Sequence, residues 1–171
     1  MLTQPKLENR DAQPYAGIRS RLSIQEVGTV LPPLISEVMA WLRARGSVPT
    51  GPPFFRYRVI DMARELEIDV GFPILLPLMG DQRIVIDTIP AGKYASLIHT
   101  GRFDQLIEAN KVLQEWGKSN GIEWRKSEGE RGSVWVSRLE IYLTNPATEA
   151  NPQKWQTEIA YLVDEVGRKP Q

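Results

Sequence analysis

Apolar positions along the chain keep two rhythms. Leu34, Ile35, Val38, Trp41 and Leu42 recur at helical spacing, while Glu37, Arg43 and Arg45 fall outside the stripe. Pro32-Pro33 suits the first turn of that helix and Gly46 its C-terminal stop. A second stripe, Leu106, Ala109, Leu113 and Trp116, lies between Gly101 and Gly121. Asp104 and Glu108 stand near its start and Lys118 near its end, as the helix dipole favours. Trp41 and Trp116, each on an apolar stripe, are expected to pack in the core.

Most other segments alternate with period two and predict strands. They are Pro14–Leu22, Arg56–Ile60, Leu66–Val70, Ile84–Ile89, Tyr94–Ile98 and, longest, Val134–Leu143. In that last run Leu139, Ile141 and Leu143 are expected to face the helices, with Arg138, Glu140 and Tyr142 on the opposite side. Clusters of Gly, Pro, Asn and Asp separate the runs. Ser127 to Glu130 reads as a loop.

The runs repeat. Leu66–Pro73 matches Leu139–Pro146 at an offset of 73, Trp41–Gly46 matches Trp116–Gly121 at 75, and Pro14 matches Pro90 at 76. Two copies are too few for a solenoid. The prediction is an α+β fold in one domain over residues 1–171. Two pseudo-symmetric strand–helix–strand–strand repeats, about 10–80 and about 84–163, would form one mainly antiparallel sheet. Both helices would lie on one face, with a central ligand cleft at the junction.

Composition narrows the chemistry. Twenty-one Lys and Arg balance twenty-one Asp and Glu, so the footprint of a nucleic-acid binder is missing. No Cys and one His leave no thiolate nucleophile or disulfide frame, and no material for a His-rich metal site. Neither a metal nor a cofactor is expected. The polar start, with Lys6, Glu8 and Arg10, is no signal peptide, and the longest apolar run, Gly71–Gly80, is too short to span a bilayer. A cytoplasmic protein is the expectation. His99, before a strand-to-helix turn, reads as a structural hydrogen bonder rather than a general base.

The polar side of the matched strands holds the candidate chemistry. Glu67 and Asp69 lie on one, Glu140 and Tyr142 on the other, with Trp135 upstream at odd spacing. A carboxylate among aromatics is either solvated surface or the floor of a site for an organic cation. Trp135 and Tyr57 read equally as cleft wall or packed edge. Phe72 could reach the cleft rim or pack beneath its turn.

At these residues the chain resembles the GyrI-like, or AraC-type effector-binding, SOUL-like domain. The resemblance is carried by Pro14-Tyr15, Trp41-Leu42 with Gly46, Gly51-Pro52-Pro53-Phe54 with Tyr57, and Glu67 with Gly71–Pro73. It continues through Ile89–Tyr94, His99-Thr100-Gly101 with Phe103-Asp104, Trp116, Leu139–Pro146 and the closing Trp155–Leu162 strand, covering roughly residues 10–163. It implies binding of small, cationic or aromatic lipophilic molecules, for sensing or sequestration, with Glu140 in the position of the family's cleft carboxylate. Glu140, Tyr142, Trp135, Tyr57, Glu67 and Phe72 are then the expected ligand-binding residues. The family also holds hydrolases of cyclopropane-bearing genotoxic natural products. That alternative would make Glu140 and Tyr142 catalytic. The implied partners are a small molecule and either a regulator or a second copy, with no direct contact to nucleic acid or membrane.

Overall fold

The computed structural model describes residues 1–165. Eleven strands and two helices follow in the order β1 (Lys6–Arg10), β2 (Gln13–Leu22), α1 (Val27–Ala44), β3 (Phe54–Ile60), β4 (Leu66–Pro73), β5 (Val85–Ile89), β6 (Gly92–Thr100), α2 (Leu106–Ser119), β7 (Glu123–Trp124), β8 (Lys126–Gly129), β9 (Gly132–Trp135), β10 (Arg138–Tyr142) and β11 (Gln156–Asp164). The main path of the curled antiparallel sheet is β1-β6-β11-β10-β3-β4-β2-β5, which reads as a palindrome about the β10/β3 pair. Each half is strand–helix–strand–strand, as the repeat predicts.

The symmetry assigns partners differently from the strongest sequence match. β3 corresponds to β10 and β4 to β11, so the likeness of Leu66–Pro73 to Leu139–Pro146 joins strands in non-equivalent places. The helix match is sound. Gly46 (φ +66°) and Gly121 (φ +67°) close both helices in the left-handed conformation that favours glycine. Each makes the same paired hydrogen bonds: Ser47 N–H to Leu42 O and Gly46 N–H to Arg43 O, then Ile122 N–H to Gly117 O and Gly121 N–H to Lys118 O.

The edge strands are exchanged between halves. β1 precedes the first half yet pairs with β6 of the second, while β5 precedes the second half yet pairs with β2 of the first. Neither half is therefore closed on itself.

α1 begins five residues before Pro32, so Pro32-Pro33 lie inside it rather than in its first turn. The Ser23–Glu26 capping box starts the preceding 3₁₀ turn. Both prolines sit on the exposed face, where water can satisfy the carbonyls that lose a partner. Leu31, Leu34, Val38 and Leu42 of α1 pack on Leu66, Ile68, Val70 and Phe72 of β4; α2 packs Leu106, Ala109 and Leu113 on Ala95, Leu97 and Ile159. Trp41 and Trp116 are half-buried against these cores, and Trp41 Nε1 also donates to Asp81.

α1 rests on β2 and β4, and α2 on β6 and β11. The central pair β3 and β10 is thus left as the floor of a trough between the helices. Val134–Leu143 is not one strand. It breaks at Val136-Ser137, where β11 replaces β8 as one neighbour while β3 stays the other on both sides of the break. The break exchanges faces. Trp135 packs on the α2 side, Leu139 and Ile141 pack on the opposite side with Tyr15, Phe54 and Tyr94, and Glu140 turns towards the helices. The expected facing of β10 is therefore reversed. Ser127 to Glu130 forms much of the β8–β9 hairpin rather than a loop.

Candidate ligand-binding site

Three neighbouring strands build the trough floor. On β10 the side chains of Arg138, Glu140 and Tyr142 follow one another on the helix side. Tyr161 and Ile159 of β11 lie opposite Arg138 and Glu140, and Phe55 of β3 lies across from Glu140. A bulge in β3 sets Arg58 and Val59 against Glu67 alone, which lets Tyr57 and Ile60 both face the helices.

Glu140 is only 6% exposed. Its Oε1 accepts the hydroxyl protons of Tyr57 (2.7 Å) and Tyr142 (2.9 Å), and its Oε2 accepts from Asn110 Nδ2 of α2 (2.8 Å). Asn110 Oδ1 in turn accepts from the Tyr161 hydroxyl, which accepts from Gln114 Nε2 (3.3 Å). Among the described residues, neutral donors rather than a cation therefore hold the carboxylate. A carboxylate offers about four lone-pair positions, so one on Oε2 remains. Burial, and then the charge of Glu140, push the Tyr57 and Tyr142 hydroxyls well above their ordinary pKa, so both stay protonated donors.

Aromatic rings surround this centre. Tyr142 meets Phe55 edge-on at 4.8 Å and Phe103 at 5.5 Å, and Phe103 stacks on Trp155 at 4.6 Å. Tyr57, Tyr142, Phe103 and Trp155 are each half-buried. At the other end Trp135 and Tyr161 lie 5.2 Å apart. Tyr142 packs on both helix cores, as does Ile60, so the site sits where the halves join.

Glu140, Tyr142, Tyr57 and Trp135 are thus brought to one trough. Glu67 and Phe72 are not. Glu67 lies on the face away from the helices with Arg21 (3.3 Å), Arg58 (3.4 Å) and Arg131 (3.4 Å). Burial raises its pKa, but the surrounding guanidinium groups outweigh burial and hold it below the ordinary carboxylate range. Phe72 is buried beneath α1. Asp69, on the same face as Glu67, is fully buried between Tyr15 and Arg19. Asn110, Tyr161, Phe103, Trp155 and Arg138 are site residues that the sequence reading did not select. Asn110 carried a signal, a polar residue on the apolar stripe of α2. His99 is buried, its Nε2 3.3 Å from Gln105 Oε1, and burial lowers its pKa. Among the described residues no group of His, Asp or Glu is placed to hold a metal, and no helix is long and apolar enough to cross a membrane.

A curled sheet with two helices and a buried, aromatic-lined carboxylate between them describes a small-molecule-binding module. Residues 3–163 match the GyrI-like small molecule binding domain, and the chain belongs to that family. No match to the sequence is found among curated proteins. Among solved structures, the C-terminal domain of EcmrR is similar at 20% identity and a TM-score of 0.77, over 95% of this chain and 98% of that one. In the EcmrR–DNA complex, at 21% identity, the same likeness takes in 95% of this chain but only 58% of the longer one. SAV2435 bound to tetraphenylphosphonium is similar at 11% identity and a TM-score of 0.64, over 96% of each chain. A hydrolase from Listeria innocua matches at 12% identity and 0.58, covering 94% of this chain and 92% of that one.

Proposed function

We propose that this protein binds small lipophilic aromatic molecules in the trough between α1 and α2, with a cationic group of the ligand set against Glu140. The observation that carries this reading is a buried carboxylate held, among the described residues, by neutral donors alone and ringed by half-buried aromatics. Such a carboxylate has no ion-pair partner among the described residues for a ligand to displace, and a cation that replaces water there gains both Coulomb attraction and ring contact. The tetraphenylphosphonium on SAV2435 supports the chemistry by analogy of fold. Sensing fits if the module acts with a DNA-binding partner or as a second copy on a regulator; sequestration needs neither.

Titration with lipophilic cationic dyes, read by quenching of Trp155 and Trp135 fluorescence, tests the proposal. Glu140→Gln should weaken binding about 10- to 100-fold, the range for losing a charged hydrogen-bond partner, and Glu67→Gln should leave it unchanged. No quenching by any dye at millimolar concentration, or equal losses in the two variants, would sink it.

A second reading rests on the two protonated phenols at one carboxylate. Tyr57 or Tyr142 could donate to a developing oxyanion while Glu140 positions water, giving a hydrolase of cyclopropane-bearing alkylators. Saturation of Oε1 by both phenols weakens Glu140 as a base, so binding is the favoured reading. Mass analysis after incubation with such an alkylator should return unchanged compound; ring-opened product would favour the hydrolase.

A further inference from the structure

One side chain in the trough is left out of the scheme built on Glu140. Arg138 precedes Glu140 by two residues on β10 and points to the same side. Its guanidinium carbon stands 4.7 Å from the Trp135 ring centre, 4.8 Å from Tyr161 and 5.8 Å from Tyr57. The rings hold the cation in place by their faces, which offer no acceptor to its N–H groups. Its Nε is buried and has no hydrogen-bond partner among the described residues, and the guanidinium makes no salt bridge among them.

Arg56 Nε is likewise buried without a partner, but its other guanidinium nitrogens are bonded, which sets Arg138 apart. Arg19, Arg21, Arg58 and Arg131 on the other face are all tied to Asp69, Asp87 or Glu67, and the buried Arg56 donates to Tyr15, Thr88 and Val136. Among the described residues Arg138 differs from all five: it is half-buried and fixed in direction by aromatic packing, and its guanidinium makes no side-chain hydrogen bond or salt bridge. A planar fork of that kind, pre-oriented and partly desolvated, matches an oxygen acceptor, above all a carboxylate.

From this we infer that Arg138 is a second recognition residue of the trough, which binds an anionic or strongly accepting oxygen group of the ligand. The inference rests on the trough reading above and deepens it. The preferred ligand is then an amphoteric aromatic molecule rather than a simple lipophilic cation. Its orientation follows from β10. Residues two apart on a strand are separated by about 7 Å, so the acceptor end lies over Arg138 and the cationic centre over Glu140, with the apolar remainder on Tyr142, Phe103 and Trp155. The rings of Trp135, Tyr161 and Tyr57 already face a cation. A ligand's positive charge is therefore directed to the Tyr142 end.

A matched pair of probes separates the two groups: rhodamine B, which carries a delocalised cation and a free carboxylate, and its ethyl ester, which keeps only the cation. The readout is the ratio of their affinities within each protein, so a general loosening of the fold cancels. Wild type should favour the acid relative to the ester, and in Arg138→Gln that ratio should fall at least fivefold. Arg138→Lys, which keeps charge but loses the planar fork, should give an intermediate ratio, and serves alone if the glutamine variant does not fold. A ratio unchanged by either substitution, or equal loss of both probes, overturns the role of Arg138 while leaving the trough intact. If neither probe binds wild type, the trough reading itself fails and takes this inference with it.

Discussion

At the residue scale the chemistry turns on how Glu140 is compensated. Three neutral donors stabilise the buried anion without cancelling its charge, a different arrangement from Asp69, which is equally buried but paired with Arg19. Removing one donor therefore has two effects of opposite sign. Tyr57→Phe keeps the ring but strips a hydrogen bond from a buried carboxylate, and should cost roughly 1–3 kcal/mol, seen as a lower urea midpoint. The same change leaves Glu140 less compensated, so dye cations should bind a few-fold more tightly in fluorescence titrations. Weaker cation binding in Tyr57→Phe would mean that the hydroxyl itself contacts the ligand.

At the element scale, two devices shape the trough: the matched glycine ends of the helices and the breaks in the central strands. A Cβ built on Gly46 or Gly121 meets no atom within 4 Å, so alanine there is opposed by the positive φ alone. Each Gly→Ala should cost about 1 kcal/mol and lower the melting temperature by roughly 2–4 °C. Gly117 differs, because its Cβ would come within 2.3 Å of the Trp124 ring. Gly117→Ala should therefore cost more than either cap substitution in the same calorimetric comparison, since Trp124 must move to admit the methyl group. Equal losses at all three positions would show that Trp124 yields freely.

At the scale of the whole molecule, the five tyrosines report on the fold together. Tyr15, Tyr57, Tyr94, Tyr142 and Tyr161 all have pKa values raised, first by burial. A group with a raised folded pKa contributes stability that is complete below its unfolded value, near 10, and is lost as pH climbs above it. Phenolate absorbance should therefore be missing near pH 10 and emerge at higher pH in one step, coincident with loss of far-ultraviolet ellipticity. The exchanged edge strands favour that single step, because the first half depends on β5 and the second on β1. A tyrosine titrating at its ordinary value in the folded protein would contradict the burial described here.

Helices, most strands, the twofold repeat and the class of fold could all be read along the chain, because each depends on local periodicity and on glycine at helix ends. The central carboxylate and its aromatic neighbours were also visible as residue types. What the sequence did not determine was facing. A strand pattern fixes which side chains share a side but not which side meets the helices, and a break or bulge reverses the relation without leaving a mark in hydropathy. Val136-Ser137 and Arg58 are such points: the first turns Glu140 inward and the second turns Ile60 inward beside Tyr57, while Glu67, alike in local pattern to Glu140, stays on the other face. Asn110, Tyr161, Phe103 and Trp155 reach the site from α2, β11 and the segments flanking them, separated by up to a third of the chain. Only packing of the two halves across β3 and β10 brings these side chains to one carboxylate, because the contacts that place them are between elements and have no counterpart within any of them.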